Sequence, residues 1–381
     1  MKVILVGGGI GGLTAAIALR TQGIEAQIYE RSPALTEVGA GISLWPNAVK
    51  VLRKLGLEEK LRSISPETED FALRRWNGAF ISRTPARELE RRFGGGMLLL
   101  HRAELLDVLA KSFGHSNLHL DHCCVGIEED ADGVTARFSN GDAARGDVLI
   151  GADGLHSAVR SWLGHDDTVR YSGYTAWRSV VDFDTSAIVA AETWGHGQRF
   201  GIHPLKNGRV YWWATANVPE GQDNQDQHPA DTLLSLFKGW YEPVGSLVRA
   251  SSGSKILRND VYDRDPLPHW GRGRVTLLGD AAHPMTPNLG QGACQAIEDA
   301  EELALRLARE PNAAVALRKY ETARIARTTS IVLASRRFGV LGQVRTPALC
   351  RMRDLLLGLI PSGVSLRSLM PTVGYERKAN D

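Results

Sequence analysis

Residues 2–12 read Lys-Val-Ile-Leu-Val-Gly-Gly-Gly-Ile-Gly-Gly. The first five form a short β-branched apolar run, the pattern of a strand buried on both faces of a parallel sheet. Gly7, Gly9 and Gly12 then fit G-x-G-x-x-G, and Leu13 to Leu19 continues with alanine-rich helical character. Each glycine has its own task. Gly7 permits the tight turn, Gly9 lets a pyrophosphate approach the backbone, and Gly12 lets the helix pack close to the sheet. The helix N-terminus offers unpaired N–H groups and its dipole to the phosphates. Ala26-Gln27-Ile28-Tyr29 reads as a second strand, ending at Glu30 and then Arg31, both candidates for cofactor contact. An acid at that place accepts hydrogen bonds from ribose hydroxyls, which favours FAD or NAD over NADP. The glycine motif alone is a weak signal; strand, glycines, helix, strand and acid in order predict a dinucleotide site in an α/β fold.

Two further strand ends carry acids. Residues 147–160 read Asp-Val-Leu-Ile-Gly-Ala-Asp-Gly-Leu-His-Ser-Ala-Val-Arg, an apolar strand ending at Asp153-Gly154 before a helix capped near Ser157. Residues 274–280 read Arg-Val-Thr-Leu-Leu-Gly-Asp. Asp280 thus stands at a strand's carboxyl end, where open α/β sheets bind ligands. Pro287-Asn288-Leu289-Gly290-Gln291-Gly292 follows and opens a helix, so backbone N–H groups can face an electron-rich oxygen. Pro287 has no N–H and leaves an apolar wall beside that loop, with Met285 and Leu289 available on the same side.

These three motifs, in this order and spacing, resemble the single-component FAD-dependent aromatic hydroxylases of the p-hydroxybenzoate hydroxylase type, over nearly the whole chain. Gly279-Asp280 and the segment Pro287 to Gly292 are the most specific part of the likeness. The resemblance implies a Rossmann-type FAD-binding domain. In it Asp280 binds the ribityl chain or the ribose–phosphate linkage, Asp153 lies near both FAD and NAD(P)H, and Gly290 and Gly292 face the flavin. It also places Arg102, which opens the helix after His101, against the flavin or its phosphates, and Val125 near the adenine. Gly39-Ala40-Gly41 reads as a close backbone approach to FAD, with Gly41 among the candidate contacts. There is no second G-x-G-x-x-G after a strand, so no dedicated nicotinamide domain is expected, and the resemblance implies NADH or NADPH as a transient co-substrate. The implied reaction is hydroxylation of a small aromatic or heteroaromatic compound by dioxygen through a flavin 4a-hydroperoxide. The same scaffold leaves open an FAD epoxidase or reductase acting on an isoprenoid or polyketide, or a non-catalytic flavin-containing ligand-binding protein. No Trp-x-Trp-x-Ile-Pro-like segment supports a flavin halogenase.

Between the nucleotide-binding pieces lie alternating segments rich in Trp, Tyr, Val and Phe at 171–184, 191–205 and 208–218, expected as strands of an antiparallel sheet. Asn77-Gly78 marks a hairpin. The fold expected is therefore α/β, with a discontinuous FAD-binding domain at 1–70, 98–165 and 265–340. Residues 71–97 and 166–264 are expected as an inserted substrate-binding β-sheet, and 341–381 as a C-terminal helical tail. A long helix is expected over 312–338, and 223–228 reads as a polar exposed loop. Period 2 places Arg199, Gly201 and His203 on one sheet face, and Tyr211, Trp213 and Thr215 on one face of the next strand. A turn at Lys206-Asn207-Gly208 would make Arg199 and Tyr211 cross-strand neighbours. An arginine with a phenol suits an anionic or enolic heteroaromatic, and Arg199, Tyr211 and Pro287 are the catalytic candidates. This pair, with Ile42 to Asn47, resembles the bacterial FAD-dependent urate hydroxylases; Asn288 departs from their pattern, where the resemblance implies an acid. His283 reads as a structural histidine beside the cofactor loop, and Trp177, Trp194 and Trp212 either line the pocket or fill the sheet core.

Composition sets the remaining bounds. Of 381 residues, 45 are Lys or Arg and 43 are Asp or Glu, which offers no basic excess for nucleic acid. Hydrophobic residues at 43% and charged residues at 23% exclude a disordered or collagen-like chain. The four cysteines form no C-x-x-C pair, so neither a disulfide scaffold nor a metal site is expected, and a cytoplasmic setting is the simplest expectation. No apolar run has the length of a membrane span, and stable membrane insertion is not expected. The run Leu355 to Ile360 could dock on its own chain, form a dimer contact or touch a membrane; docking on its own chain is the expectation, in a monomer or homodimer.

Overall fold

The computed structural model describes residues 1–35, 40–67, 70–186, 188–221, 228–251, 256–360 and 362–375. Gly39 and residues 223–227 of the polar run lie outside the described residues.

The opening strand Lys2–Val6 is the centre of a five-stranded parallel sheet. Its order is Val275–Leu277, Val148–Gly151, Lys2–Val6, Glu25–Tyr29 and Leu118–His119. Val3 to Val6 are buried, as a strand covered on both faces requires. The helix Ile10–Thr21 buries Leu13, Ile17 and Leu19 on one side of the sheet core, and the helix Gly292–Arg309 packs in the same cluster through Ile297, Leu303 and Leu307. Because the strands are parallel, their carboxyl ends share one edge. Backbone hydrogen bonds continue past those ends, from Gly7 N to Tyr29 O, Ala152 N to Val6 O and Leu278 N to Gly151 O, each 2.8 Å. The three strand-end loops are thereby fixed side by side.

A seven-stranded sheet stands over this edge, ordered Leu257–Asp263, Arg170–Asp182, Arg209–Ala216, Gln198–Leu205, Ala190–Trp194, Asp70–Arg75 and Phe80–Pro85. It is mixed rather than wholly antiparallel, since Ala190–Trp194 pairs parallel with Asp70–Arg75. Those two strands are far apart in sequence, so no tight turn imposes an antiparallel pairing. The segment expected as one strand over 191–205 is two strands, broken by a turn at Gly195 to Gly197. Asn207 and Gly208 both have left-handed φ, the backbone that a two-residue hairpin turn requires.

Alternation divides the sheet's side chains. Trp177, Phe200, Ile202 and Trp212 pack under the helices Pro229–Leu236 and Val244–Ala250, through Leu233, Val244 and Leu247. Trp177 and Trp212 are therefore sheet core. The opposite face packs Ala190, Leu205 and Tyr211 against Met97 and against Leu99 of the strand Leu98–His101. The helix Ala313–Gly342 is longer than expected from the sequence and buries Tyr320, Arg324 and Val332. The tail continues as helices Pro347–Gly358 and Ser362–Val373. Leu355, Leu356, Leu359 and Ile360 are exposed, which corrects the expectation that this run docks on its own chain. The polar residues Arg353 and Asp354 face the protein instead.

Candidate active site

The glycine loop has the form a dinucleotide diphosphate needs. Gly7 adopts φ +111, and a β-carbon there would overlap the Ala152 carbonyl. A β-carbon at Gly12 would overlap the Gly7 oxygen, whereas one at Gly9 would meet nothing within 4 Å. Gly9 is thus the open face of the cradle and the N-cap of the helix Ile10–Thr21, where no side chain caps the first turn. Glu30 accepts from Gly8 N at 2.6 Å and from Ser32 N at 2.9 Å, so its carboxylate is held at the end of the second strand. Arg31 is exposed on the loop beyond it.

Asp280 sits in the 3₁₀ turn Gly279–Ala281 after the strand Val275–Leu277. Its side chain reaches solvent, yet it stands in a recess crowded by protein. That desolvation raises its pKa, while His283 and Arg102 pull it down and Asp299 adds to the rise. Gly292 faces it, with a hypothetical β-carbon 3.7 Å from Asp280 Oδ1. Gly290 takes the left-handed backbone that turns the Pro287–Leu289 segment into the helix Gly292–Arg309, whose first turn also has no side-chain cap. Two uncapped helix N-termini, an open glycine cradle, and acids at two strand ends form a site that fits FAD.

The remaining cofactor candidates have the following surroundings. The Asp153 carboxylate caps the helix Ala158–Trp162, accepting from Ser157 Oγ at 2.5 Å and Ala158 N at 2.8 Å. Val125 is 64% exposed beside an irregularity in the ladder between Cys124–Glu129 and Val134–Phe138. Arg102 opens the helix Arg102–Phe113 and is close enough to influence both Asp280 and Tyr211. Gly41 has a packing reason, since a β-carbon there would overlap the Tyr211 ring.

On the sheet, the period-2 faces are as expected but the register is not. Arg199 lies opposite Thr215 and Tyr211 opposite His203, with Gly201 opposite Trp213 between them. Arg199 and Tyr211 share a face without being direct cross-strand partners. Trp213 fills the space over Gly201, and the Arg199 guanidinium lies 5.3 Å from its ring centroid. Arg199 is buried and already neutralised. Its Nε donates to Glu192 Oε1 at 2.7 Å, its Nη2 donates to the same oxygen, and Nη1 donates to Asn288 Oδ1 at 2.6 Å. Trp194 Nε1 also donates to Glu192, at 2.5 Å. Burial pushes the Tyr211 phenol up to about 12 against the pull of Arg178 and Arg102, so it remains a hydrogen-bond donor. Burial lowers His203 to about 4 and keeps it neutral.

Asn288 joins sheet and cofactor loop. Its Oδ1 also accepts from Tyr174 Oη at 3.1 Å, and its Nδ2 donates to Thr286 Oγ1 at 2.8 Å and Ser335 O at 3.1 Å. Pro287 beside it is exposed, and Leu289 and Met285 are half-buried. Beneath the loop, His283 Nε2 meets Asp299 Oδ2 at 2.6 Å and Arg324 Nε donates to Asp299 Oδ1 at 2.6 Å. Burial alone would raise Asp299; His283 and Arg324 outweigh it and hold the carboxyl down at about 2. Glu192, Tyr174 and Asp299 were not singled out in the sequence. For Glu192 a signal exists, an acid at an inward position of the apolar strand Ala190–Trp194.

Comparison with known proteins agrees with this geometry. The family model described as FAD binding domain matches residues 1–335. The chain is 42% identical over 365 residues to the aurachin C monooxygenase/isomerase of Stigmatella aurantiaca, covering 95% of each protein. It is 38% identical to an FAD-dependent urate hydroxylase of Klebsiella pneumoniae, covering 88% of this chain and 89% of that one. The crystal structure of Klebsiella pneumoniae HpxO complexed with FAD and uric acid superposes with a TM-score of 0.92 at 33% identity, covering 98% of this chain and 96% of that chain. The chain therefore belongs to the FAD-binding-domain family and is a flavoprotein of the FAD-dependent monooxygenase kind.

Proposed function

We propose that this protein uses NADH or NADPH and dioxygen to hydroxylate a small aromatic or heteroaromatic substrate that enters uncharged. The observation that carries the substrate class is the Arg199–Glu192 pair. An arginine neutralised within the chain, next to an asparagine instead of an acid at 288, supports a pocket that recognises a ring by hydrogen bonds and apolar contact. FAD, when bound, supplies transfer of reducing equivalents from the nicotinamide to dioxygen and delivery of one oxygen atom.

The chain's residues have distinct tasks in this reading. Gly7, Gly9 and Gly12, with the N-terminus of Ile10–Thr21, hold the diphosphate. Glu30 accepts from the ribose hydroxyls, and Asp280 anchors the ribityl side. The uncapped N-terminus of Gly292–Arg309 offsets negative charge at the flavin's pyrimidine edge. Tyr211 donates its phenolic hydrogen bond to the substrate, Arg199, held in place by Glu192 and Asn288, orients it, and Pro287 supplies an apolar wall that limits water.

The test is an anaerobic titration of the yellow holoprotein with NADH and then NADPH, in the presence of uncharged phenols, hydroxyquinolines or purines. Ligand-stimulated flavin bleaching followed by dioxygen uptake and a product heavier by one oxygen is the expected outcome. Bleaching without dioxygen uptake would replace this reading with a reductase. Absence of bleaching with either donor would replace it with a binding protein.

A further inference from the structure

The helix Pro347–Gly358 is amphipathic in the reverse sense for a helix surrounded by water. Its protein-facing residues are Cys350, Arg353 and Asp354. Arg353 Nε donates to Asp354 Oδ1 at 2.9 Å, and Arg353 Nη2 reaches the Gly195 carbonyl at 3.4 Å. The outward residues are Leu349, Met352, Leu355, Leu356 and Leu359, with Leu359 69% exposed. Spacings of three and four place Leu349, Met352, Leu356 and Leu359 in one stripe. Apolar exposure continues on neighbouring elements, at Val340 near the end of Ala313–Gly342, at Ile360, and at Val364 and Met370 on the last helix. Large exposed apolar surface on a folded chain marks a contact site.

Charge indicates what covers it. Among the described residues from 337 to 375, the exposed charged side chains are Arg337, Arg345, Arg351 and Arg367. The one acid in that span, Asp354, is buried against Arg353. The chain as a whole is nearly balanced in charge, so this acid-free rim is local. Exposed leucines whose own segment carries only arginines as exposed charges match the interfacial zone of an anionic bilayer, where side chains enter the acyl boundary and guanidinium groups remain at the phosphates. A second copy docked on the same patch by a two-fold axis would set arginine rim against arginine rim.

We propose that this C-terminal face docks the protein peripherally on an anionic lipid surface. The docking is interfacial, because no helix among the described residues is long and apolar enough to cross a membrane. Val340 and Arg345 also line a cavity of about 420 Å³ whose wall includes Tyr174, Thr286 and Asn288. Docking through this face would bring that side of the cavity to the lipid surface.

The test is flotation of full-length, FAD-loaded protein with vesicles of phosphatidylcholine alone or with roughly one third phosphatidylglycerol. The protein is expected to float with the anionic vesicles only and to be released by high salt. Leu355→Asp with Leu359→Asp should reduce flotation about tenfold or more while the flavin spectrum and Tm stay unchanged. Arg345→Glu with Arg351→Glu should abolish the preference for anionic lipid. Wild-type protein that floats with neither vesicle overturns the proposal. So does a dimer in solution that the leucine double variant converts to monomer, with no vesicle binding by either form. None of these readouts depends on turnover, so they stand or fall separately from the hydroxylase reading.

Discussion

Arg199 shows how far one residue can be read before its neighbours are known. Inward alternation on a strand next to Tyr211 was legible, because a period of two needs only the sequence. Its ion pair was not legible, because Glu192 lies on a different strand and reaches Arg199 only once the pairing Glu192↔Gly201 is fixed. The consequence is measurable. Arg199→Ala leaves the Glu192 carboxylate without its cation and should cost about 2 kcal/mol, less than a fully buried pair because Glu192 is a quarter exposed. Chemical denaturation should show Arg199→Ala combined with Glu192→Ala recovering part of that loss; a double variant no more stable than Arg199→Ala alone would count against the coupling. Asp280 gives a second prediction at this scale. Losing a charged hydrogen-bonding group at the ribityl side should lower FAD affinity roughly tenfold or more. The flavin-to-protein absorbance ratio of purified Asp280→Ala checks this, and wild-type occupancy would remove Asp280 from the cofactor site.

At the scale of elements, the helix Gly292–Arg309 does more than present its N-terminus. It carries Asp299, which accepts from Gly279 N at 3.1 Å and binds His283 and Arg324, tying the Asp280 turn to the helix Ala313–Gly342. His283 is thereby the structural histidine its position suggested. The folded Asp299 carboxyl is held down at about 2, below its unfolded value of roughly 4. Its stabilisation is therefore fully present above about pH 4 and fades as pH falls toward about 2. Denaturation midpoints measured across that window should fall more steeply for the wild type than for Asp299→Asn, which starts less stable; parallel curves would rule out this linkage. A further test addresses the contact between sheet and nucleotide domain. Gly41→Ala would press on the Tyr211 ring, so a loss of about 1–3 kcal/mol is expected in thermal or chemical unfolding.

For the whole molecule, the proposed reading has three sequence-distant segments share FAD. Ligand that binds only the folded state stabilises it by about 2.7 kcal/mol at a hundredfold excess over Kd. Stripping the flavin should accordingly lower Tm, and adding FAD back should restore it in a concentration-dependent way. An unchanged Tm on reconstitution would argue that the three segments do not converge on the nucleotide.

The sequence by itself determined the nucleotide-binding half. Buried parallel strands leave apolar runs, sharp turns leave glycines, and strand ends leave acids, and all of these signals are local along the chain. It also determined which residues of the inserted sheet face inward. Only the tertiary structure decided what those residues meet. Arg199 with Glu192, Asn288 with Tyr174, and Asp299 with Arg324 join residues from separate elements, and their pairing follows from strand register and helix packing. The same holds for the Leu355 to Ile360 run. Its hydrophobicity was visible, but the side on which it lies was settled by burial of Arg353 and Asp354 against the protein, which turns the leucines outward.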